Sequence, residues 1–281
     1  MIGPVLGLRP GRYCAVALAA MLACGCAGRP ATARLEQAPD FLPHHPASVP
    51  GAAAYKPHVL EAGLSVDGQP LIVEIFGAGP RTTLVIGSIH GDETRGTDMA
   101  RRLAAFLRAD PEAMRGRAVA ILAAANPDGA ARHCRANANG VDLNRNFPAA
   151  NWRRGTPGRF GYGGPTPASE PETQAIIRLV ETLRPDRVVS LHATSSGEVC
   201  NNYDGPAAAL ARLMAARNHY PVVAHIGHPT PGSLGNWLGV DRGVPTLTLE
   251  LPQNAAADAC WERNRAALLE AVTADAGTPE L

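Results

Sequence analysis

Three side chains stand at spacings that suit a divalent cation. His90 and Glu93 have two residues between them and follow the apolar run Thr82-Thr83-Leu84-Val85-Ile86, while His192 follows a second such run, Val188-Val189-Ser190-Leu191. Imidazole and carboxylate are donors that suit Zn²⁺, and a His₂Glu set leaves a fourth coordination position for water. Such a cation acidifies its water toward a pKa of about 7 and polarises a carbonyl. The chain contains no His-Glu-x-x-His, so one helix does not present the donors. Hydrolysis also needs a base that takes a proton from water and hands it to the leaving amine. Glu250, directly after the apolar run Thr246-Leu247-Thr248-Leu249, is the candidate, because burying that run gives no structural reason for a carboxylate. The competing account of these residues is mundane: a chance His and Glu in a surface loop, and a solvated glutamate at a strand end.

These groups need elements that aim them at one point. The β-branched run before Gly87 is the pattern of a buried strand, and Met99, Leu103, Phe106 and Leu107 follow at helical spacing to about Asp110. His90 and Glu93 therefore fall where a strand gives way to a helix, with Gly87 and Gly91 loosening the backbone. Leu64 to Phe76, turning at Asp67-Gly68, carries a hairpin signal. Further strands are expected at 117–125, 188–191, 222–226 and 246–249. Ser169-Glu170-Pro171-Glu172 has the form of a capping box with an early proline, opening a helix through Leu183. Other helices are expected at about 206–218 and 256–273. Strands alternating with helices predict an α/β fold: one domain with a mixed, mostly parallel sheet flanked by helices. Ligands bind such sheets at the carboxyl ends of strands, where His90, Asp128, His192 and Glu250 all fall.

Composition narrows the partners. The chain has 281 residues, 46% hydrophobic and 18% charged, with a net charge of +1, which gives no support for a nucleic-acid-binding face. Arg9 and Arg12 precede a short apolar run from Tyr13 to Ala23, too short to span a bilayer and ending in Cys24-Gly25-Cys26. Small residues before a cysteine are similar to the lipobox of bacterial lipoproteins, with Cys26 or Cys24 as the lipidated residue; the alternative is an ordinary cleaved secretory signal. Neither cysteine is followed by Asp, which favours the outer membrane. Either way the chain is expected to be exported and periplasmic, touching a membrane only through an N-terminal lipid. The expected organisation is a signal peptide over 1–26, a disordered Pro/Ala-rich tether over 27–59 that includes exposed His44 and His45, and a catalytic domain over 60–281.

Six motifs occur in order: Gly87-Ser88-Ile89-His90-Gly91-Asp92-Glu93, Asn126-Pro127-Asp128-Gly129, Arg135 through Pro148, Ser169-Glu170-Pro171-Glu172-Thr173, Ser190-Leu191-His192 and Thr248-Leu249-Glu250. Together they resemble the zinc carboxypeptidase family. The run from Arg135 to Trp152, with Pro231-Gly232-Ser233-Leu234-Gly235-Asn236-Trp237, resembles its bacterial murein peptide amidase branch, which cleaves the γ-D-glutamyl–diaminopimelate bond of cell-wall peptides. The resemblance covers about residues 60 to 275. It implies one Zn²⁺ on His90, Glu93 and His192, with Glu250 as the base. It implies that Arg135 polarises the scissile carbonyl and holds the oxyanion, and that Asn144 and Arg145 bind the terminal carboxylate of a peptide derived from peptidoglycan. Chemistry agrees, since a fixed cation suits an oxyanion and a guanidinium fork suits a carboxylate.

There are departures from the family pattern. Where many members carry a tyrosine that closes over substrate, the nearest residue here is His228, either a hydrogen-bond donor in its place or a surface residue. The segment from Ala193 to Tyr203 is unlike the amidase pattern, and an export signal is unlike amidases that recycle cell wall in the cytoplasm. Two other functions remain in view: an N-acyl amino acid deacylase of the succinylglutamate desuccinylase and aspartoacylase type, separable by its substrates, and an inactive muropeptide-binding lipoprotein, which a missing ligand or base would betray. Of the cysteines expected in the exported chain, Cys134 adjoins Arg135 and Cys200 follows His192, so a Cys134–Cys200 disulfide with Cys260 free is expected.

Overall fold

The computed structural model describes residues 33–34, 56–114, 116–224 and 226–275. The signal segment, both candidate lipidation cysteines, and His44 and His45 lie outside them. The elements in chain order are β1 (Ala33–Arg34), β2 (His58–Leu64), β3 (Pro70–Phe76), β4 (Thr82–Gly87), α1 (Thr94–Ala109), β5 (Ala118–Leu122), α2 (Pro127–Ala131), α3 (Pro171–Leu183), β6 (Arg187–Thr194), β7 (Cys200–Asp204), α4 (Ala208–Asn218), β8 (Val222–Val223), β9 (Thr246–Pro252) and α5 (Ala257–Thr273). They build one nine-stranded sheet in the order β1-β2-β3-β5-β4-β6-β9-β7-β8. Its centre, β5-β4-β6-β9, is parallel, and β3 and β7 flank it antiparallel. That is the expected mixed, mostly parallel α/β sheet, and β2 and β3 form the expected hairpin.

Alternation along the strands shows why the sheet is covered on both sides. Val85 of β4, Leu191 of β6 and Leu249 of β9 face a core shared with α1, α4 and α5. Leu84, Ile86 and Val188 face a second core, shared with α3, with Phe147 from a loop and with Trp237 from a helical turn. Every residue of β4 is buried, as a central parallel strand requires. On the second face the side chains change character toward the carboxyl end. Val188 gives way to Ser190 and then His192 on β6, and Thr246 to Thr248 and then Glu250 on β9. The face that packs core at one end carries chemistry at the other.

Several local expectations change. The helix at α3 has no capping box: Glu170 is the N-cap and makes no side-chain cap bond. Its acids turn inward instead. Asn137 Nδ2 donates to Glu170 Oε2 at 2.7 Å and to Glu172 Oε2 at 3.0 Å, which ties the long polar loop to α3. Asn137 is 4% exposed and both acids are buried, so Asn137→Ala should cost about 1.5–3 kcal/mol, the worth of a hydrogen bond to a charged group, read as a lower urea midpoint. Elements also went unseen in the sequence, among them strand β7 and a π-helical turn over Gly235–Val240. Another change is Asp128, which accepts from Ser65 Oγ at 2.7 Å and from the Asp67 amide at 2.9 Å. It fastens the β2–β3 turn rather than serving the site.

Candidate active site

His90 and Glu93 sit in the turn between β4 and α1. The backbone there bends at Ser88, a non-glycine residue at φ 47°, held because its Oγ donates to the Glu93 carbonyl at 2.7 Å and accepts from the Thr97 amide at 2.9 Å. Gly91 acts by absence rather than by flexibility: a Cβ there would lie 2.1 Å from the Gly129 carbonyl carbon. The turn can therefore press against the amino end of α2. His192 comes from β6, and its Cα partner on β9 is Glu250.

Three donors converge. His90 Nδ1 lies 2.7 Å from Glu93 Oε1, His192 Nδ1 lies 2.9 Å from Glu93 Oε2, and the two Nδ1 atoms are 3.2 Å apart. The ligand atoms of all three residues fall within 4.8 Å of one another. Both imidazoles are buried, His90 at 2% exposure and His192 at 3%. Asp142 Oδ1 stands 3.2 Å from His90 Nε2, on the far side of the ring. A carboxylate there keeps the proton on Nε2 and leaves the Nδ1 lone pair for the point of convergence, as in metal-binding histidines. Two imidazole nitrogens and a carboxylate facing one another in a buried pocket form a donor set that fits Zn²⁺. Burial pushes the Glu93 carboxyl up, but His90 and His192 outweigh it and hold the group well below its ordinary range, as a ligating anion requires.

Asp142 is the residue that sequence reasoning missed. Besides His90, it accepts from Arg135 Nε at 3.0 Å and from the Asn144 amide at 3.0 Å. Arg135 Nη1 also reaches Glu93 Oε1 at 3.1 Å. One buried carboxylate thus orients an imidazole, a guanidinium and the short 3₁₀ turn Leu143–Arg145. Its signal was present but quiet: an Asp between Val141 and Leu143, inside a loop dominated by Asn and Arg.

Arg145 is 5% exposed, and its Nη1 donates to the Asn144 carbonyl at 2.7 Å. Asn144 Oδ1 accepts from the Leu234 amide at 2.9 Å, joining this loop to the one that carries Pro231-Gly232-Ser233. Burial pulls the Arg145 pKa down, Asp142 opposes it, and the nearby Arg135 charge adds to the drop. Glu250 is half-buried, and burial, helped by Glu93 and opposed by His192, raises its carboxyl above the usual range. A carboxyl shifted that way is a stronger base once ionised. All eight candidates, His228 included, line one cleft of about 1260 Å³, and His228 is exposed within it.

The cysteine pairing differs from expectation. Cys200 carries a free, buried thiol, so no Cys134–Cys200 disulfide forms, and Cys260 is free as expected. Cys134 is itself disulfide-bonded and so is not available to Cys200, which lies on β7 with Glu250 of β9 as its Cα partner. Burial pushes the Cys200 thiol up to about 12, and neighbouring Glu250 adds to that.

A family model described as zinc carboxypeptidase matches residues 53–254. The chain belongs to the zinc carboxypeptidase family. Murein peptide amidase A of Escherichia coli strain K12 is 36% identical over 211 residues, 71% of this chain and 83% of that protein. The crystal structure of the murein-tripeptide amidase of Escherichia coli O157 superposes with a TM-score of 0.62 at 32% identity, covering 78% of this chain and 94% of that one. Bovine thrombin-activatable fibrinolysis inhibitor, at 18% identity, shares the fold with a TM-score of 0.65 over 78% of this chain and 88% of its own. The chain is accordingly a zinc metallopeptidase, and the expected family, fold class and metal all hold. No described helix is long and apolar enough to cross a membrane.

Proposed function

We propose that the chain is an exported carboxypeptidase or amidase that hydrolyses a bond near the C-terminal end of cell-wall peptides, with the γ-D-glutamyl–diaminopimelate bond as its target. The observation that carries this reading is the buried Arg145 beside Asn144, in the same cleft as the His₂Glu set and Glu250. A buried cation with no carboxylate bonded to its guanidinium among the described residues suits a substrate that brings its own anion, and the amidase relatives supply the cell-wall context. The first 26 residues support export, and Cys26 or Cys24 supports a lipid anchor that keeps the enzyme in the periplasm at the outer membrane. The tether proposed over 27–59 would link the lipid to the domain from residue 60, although Ala33–Arg34 within it adds strand β1 to the sheet and β2 already begins at His58. The deacylase and the inactive binder are not favoured: the family model is that of a carboxypeptidase, and no ligand or base is missing.

In this reading the substrate's terminal carboxylate docks on Arg145 and Asn144, which places the scissile carbonyl beside Arg135. A Zn²⁺ held by His90, Glu93 and His192 would supply Lewis acidity to the carbonyl and to a water molecule. Glu250 takes the proton from the attacking water and passes it to the leaving amine. Arg135 is anchored along one edge by Asp142 and Glu93, which keeps its positive charge beside the carbonyl oxygen where negative charge grows. His228, exposed and lining the cleft, would donate a hydrogen bond to bound peptide. Mass spectrometry after incubation with defined tri-, tetra- and pentapeptide muropeptides tests the proposal. Loss of the terminal residue, or a cut before diaminopimelate, supports it; hydrolysis of N-acyl amino acids with intact muropeptides would return the deacylase.

The carboxylate pocket makes a separate prediction. Amidating the terminal carboxylate of a good substrate should lower kcat/KM by roughly 10²-fold, because charge-assisted hydrogen bonds are worth about 1.5–3 kcal/mol each. Arg145→Ala should lose a similar factor on the acid and narrow the gap between acid and amide. Arg145→Lys should recover only part, since a point charge lacks the fork. Equal rates on acid and amide in the unmodified enzyme would mean an endo-acting amidase.

A further inference from the structure

Phe160 is 68% exposed, the most exposed large hydrophobic side chain among the described residues, and it lines the cleft. Its ring is not idle: the Arg135 guanidinium carbon lies 4.8 Å from the ring centroid. The loop that carries it is tightly made. Arg159 N donates to the Thr156 carbonyl at 3.1 Å, Tyr162 N to the Arg159 carbonyl at 3.2 Å, and Gly163 N to the Arg154 carbonyl at 2.8 Å. Gly158 and Gly161, at φ 71° and 75°, take the left-handed turns on either side of the ring, conformations costly for other residues. The loop's base is pinned to the site itself, because the Asp142 amide donates to the Tyr162 carbonyl at 2.8 Å. The backbone of Asp142 thus fixes the ring, while its side chain fixes Arg135 Nε.

We propose that Phe160 is a positioning residue for Arg135. Hydrogen bonds to Asp142 and Glu93 hold the guanidinium by its edge, which leaves rotation and tilt of the plane to be set by whatever covers its face. Phe160 covers it. The negative face of the ring attracts the cation, keeps water from that side, and leaves the remaining N–H groups to aim at the scissile carbonyl. This also explains why a large apolar side chain is kept in solvent on a loop bent at two glycines: the ring is placed for the arginine, not for the core. The inference rests on the role proposed for Arg135, and the test separates the two.

The experiment is a double-mutant cycle in the zinc-loaded enzyme, with kcat and KM measured on a muropeptide tripeptide for wild type, Phe160→Ala, Arg135→Ala and the double variant. Phe160→Ala should lower kcat by roughly three- to thirtyfold, the scale of one cation–π contact, with KM little changed. Phe160→Tyr and Phe160→Trp should keep the wild-type rate, and Phe160→Leu, equally apolar but without a quadrupole, should behave like the alanine variant. In the Arg135→Ala background, removal of the ring should have no further effect on kcat. An equal loss in both backgrounds would overturn the proposal, since the ring would then touch substrate directly, and so would a leucine variant at the wild-type rate. If Arg135→Ala alone keeps the wild-type rate, it is the role of Arg135 that fails. Melting temperature should not move in any Phe160 variant, because the side chain contributes little buried area.

Discussion

Glu250→Gln should retain a full complement of zinc and lose roughly 10²–10⁴-fold in kcat, the range for a positioned proton-transfer group. The substitution is nearly isosteric, and Glu250 is not among the three metal donors, so binding and chemistry separate cleanly. Its place on β9 makes the expectation specific. Glu250 is the Cα partner of His192, on the face where Thr248 and Thr246 precede it, so the amide will occupy the same spot without remodelling the sheet. Glutamine can still hydrogen-bond to a water but cannot accept its proton. The residual rate should therefore lose the acidic limb that an ionising carboxylate gives to the pH profile of kcat/KM. Zinc analysis and steady-state kinetics on the same preparation decide it: a near wild-type rate with full metal places the base elsewhere, and loss of metal makes Glu250 part of the coordination shell.

The elements found from sequence are those whose burial is simple. Strand β4 and the start of β6 are buried on both faces, so they read as apolar runs, and α1 shows its buried residues at helical spacing. Strand β7 is Cys-Asn-Asn-Tyr-Asp, which has no apolar alternation. It is held by partners far away in sequence: Asn201 Nδ2 donates to Asn218 Oδ1 at 3.0 Å, and Asn218 Nδ2 donates back to Asn201 Oδ1 at 3.0 Å. The turn over Gly235–Val240 has glycines at both 235 and 239, a poor helix by propensity, yet a Cβ at either would strike Asp204 within 2.1 to 2.5 Å. Fit to a neighbour decides that turn, and a local pattern cannot show it. The same distinction runs through the site. His90, Glu93, His192 and Glu250 were legible because strand ends present them and their chemistry is distinctive. Asp142 acts only through groups that folding brings to it. The capping-box pattern at Ser169 misled for the opposite reason, since Glu172 has a stronger use in the buried contact with Asn137.

Removal of one imidazole should abolish stoichiometric zinc. The purified enzyme should hold about one Zn²⁺ per chain, lose it with its activity to a chelator, and recover both when Zn²⁺ is returned, as expected for a three-donor catalytic site. His90→Ala and His192→Ala each leave two protein donors, and neither variant should copurify with metal. The melting temperature of the wild type should fall on chelation, because an ion that binds only the folded state stabilises it, whereas both variants should melt alike with and without chelator. Asp142→Ala gives the graded case. Without its carboxylate His90 is free to turn and to exchange tautomers, and metal affinity should drop by about 10–100-fold, the usual cost of losing a partner that orients a ligand. Excess Zn²⁺ should refill that site but leave the rate low, because Arg135 Nε and the Asn144 amide lose the same acceptor. Full zinc content in both histidine variants would refute the metal assignment, and full activity of zinc-saturated Asp142→Ala would show that its bonds to Arg135 and Asn144 have no part in catalysis.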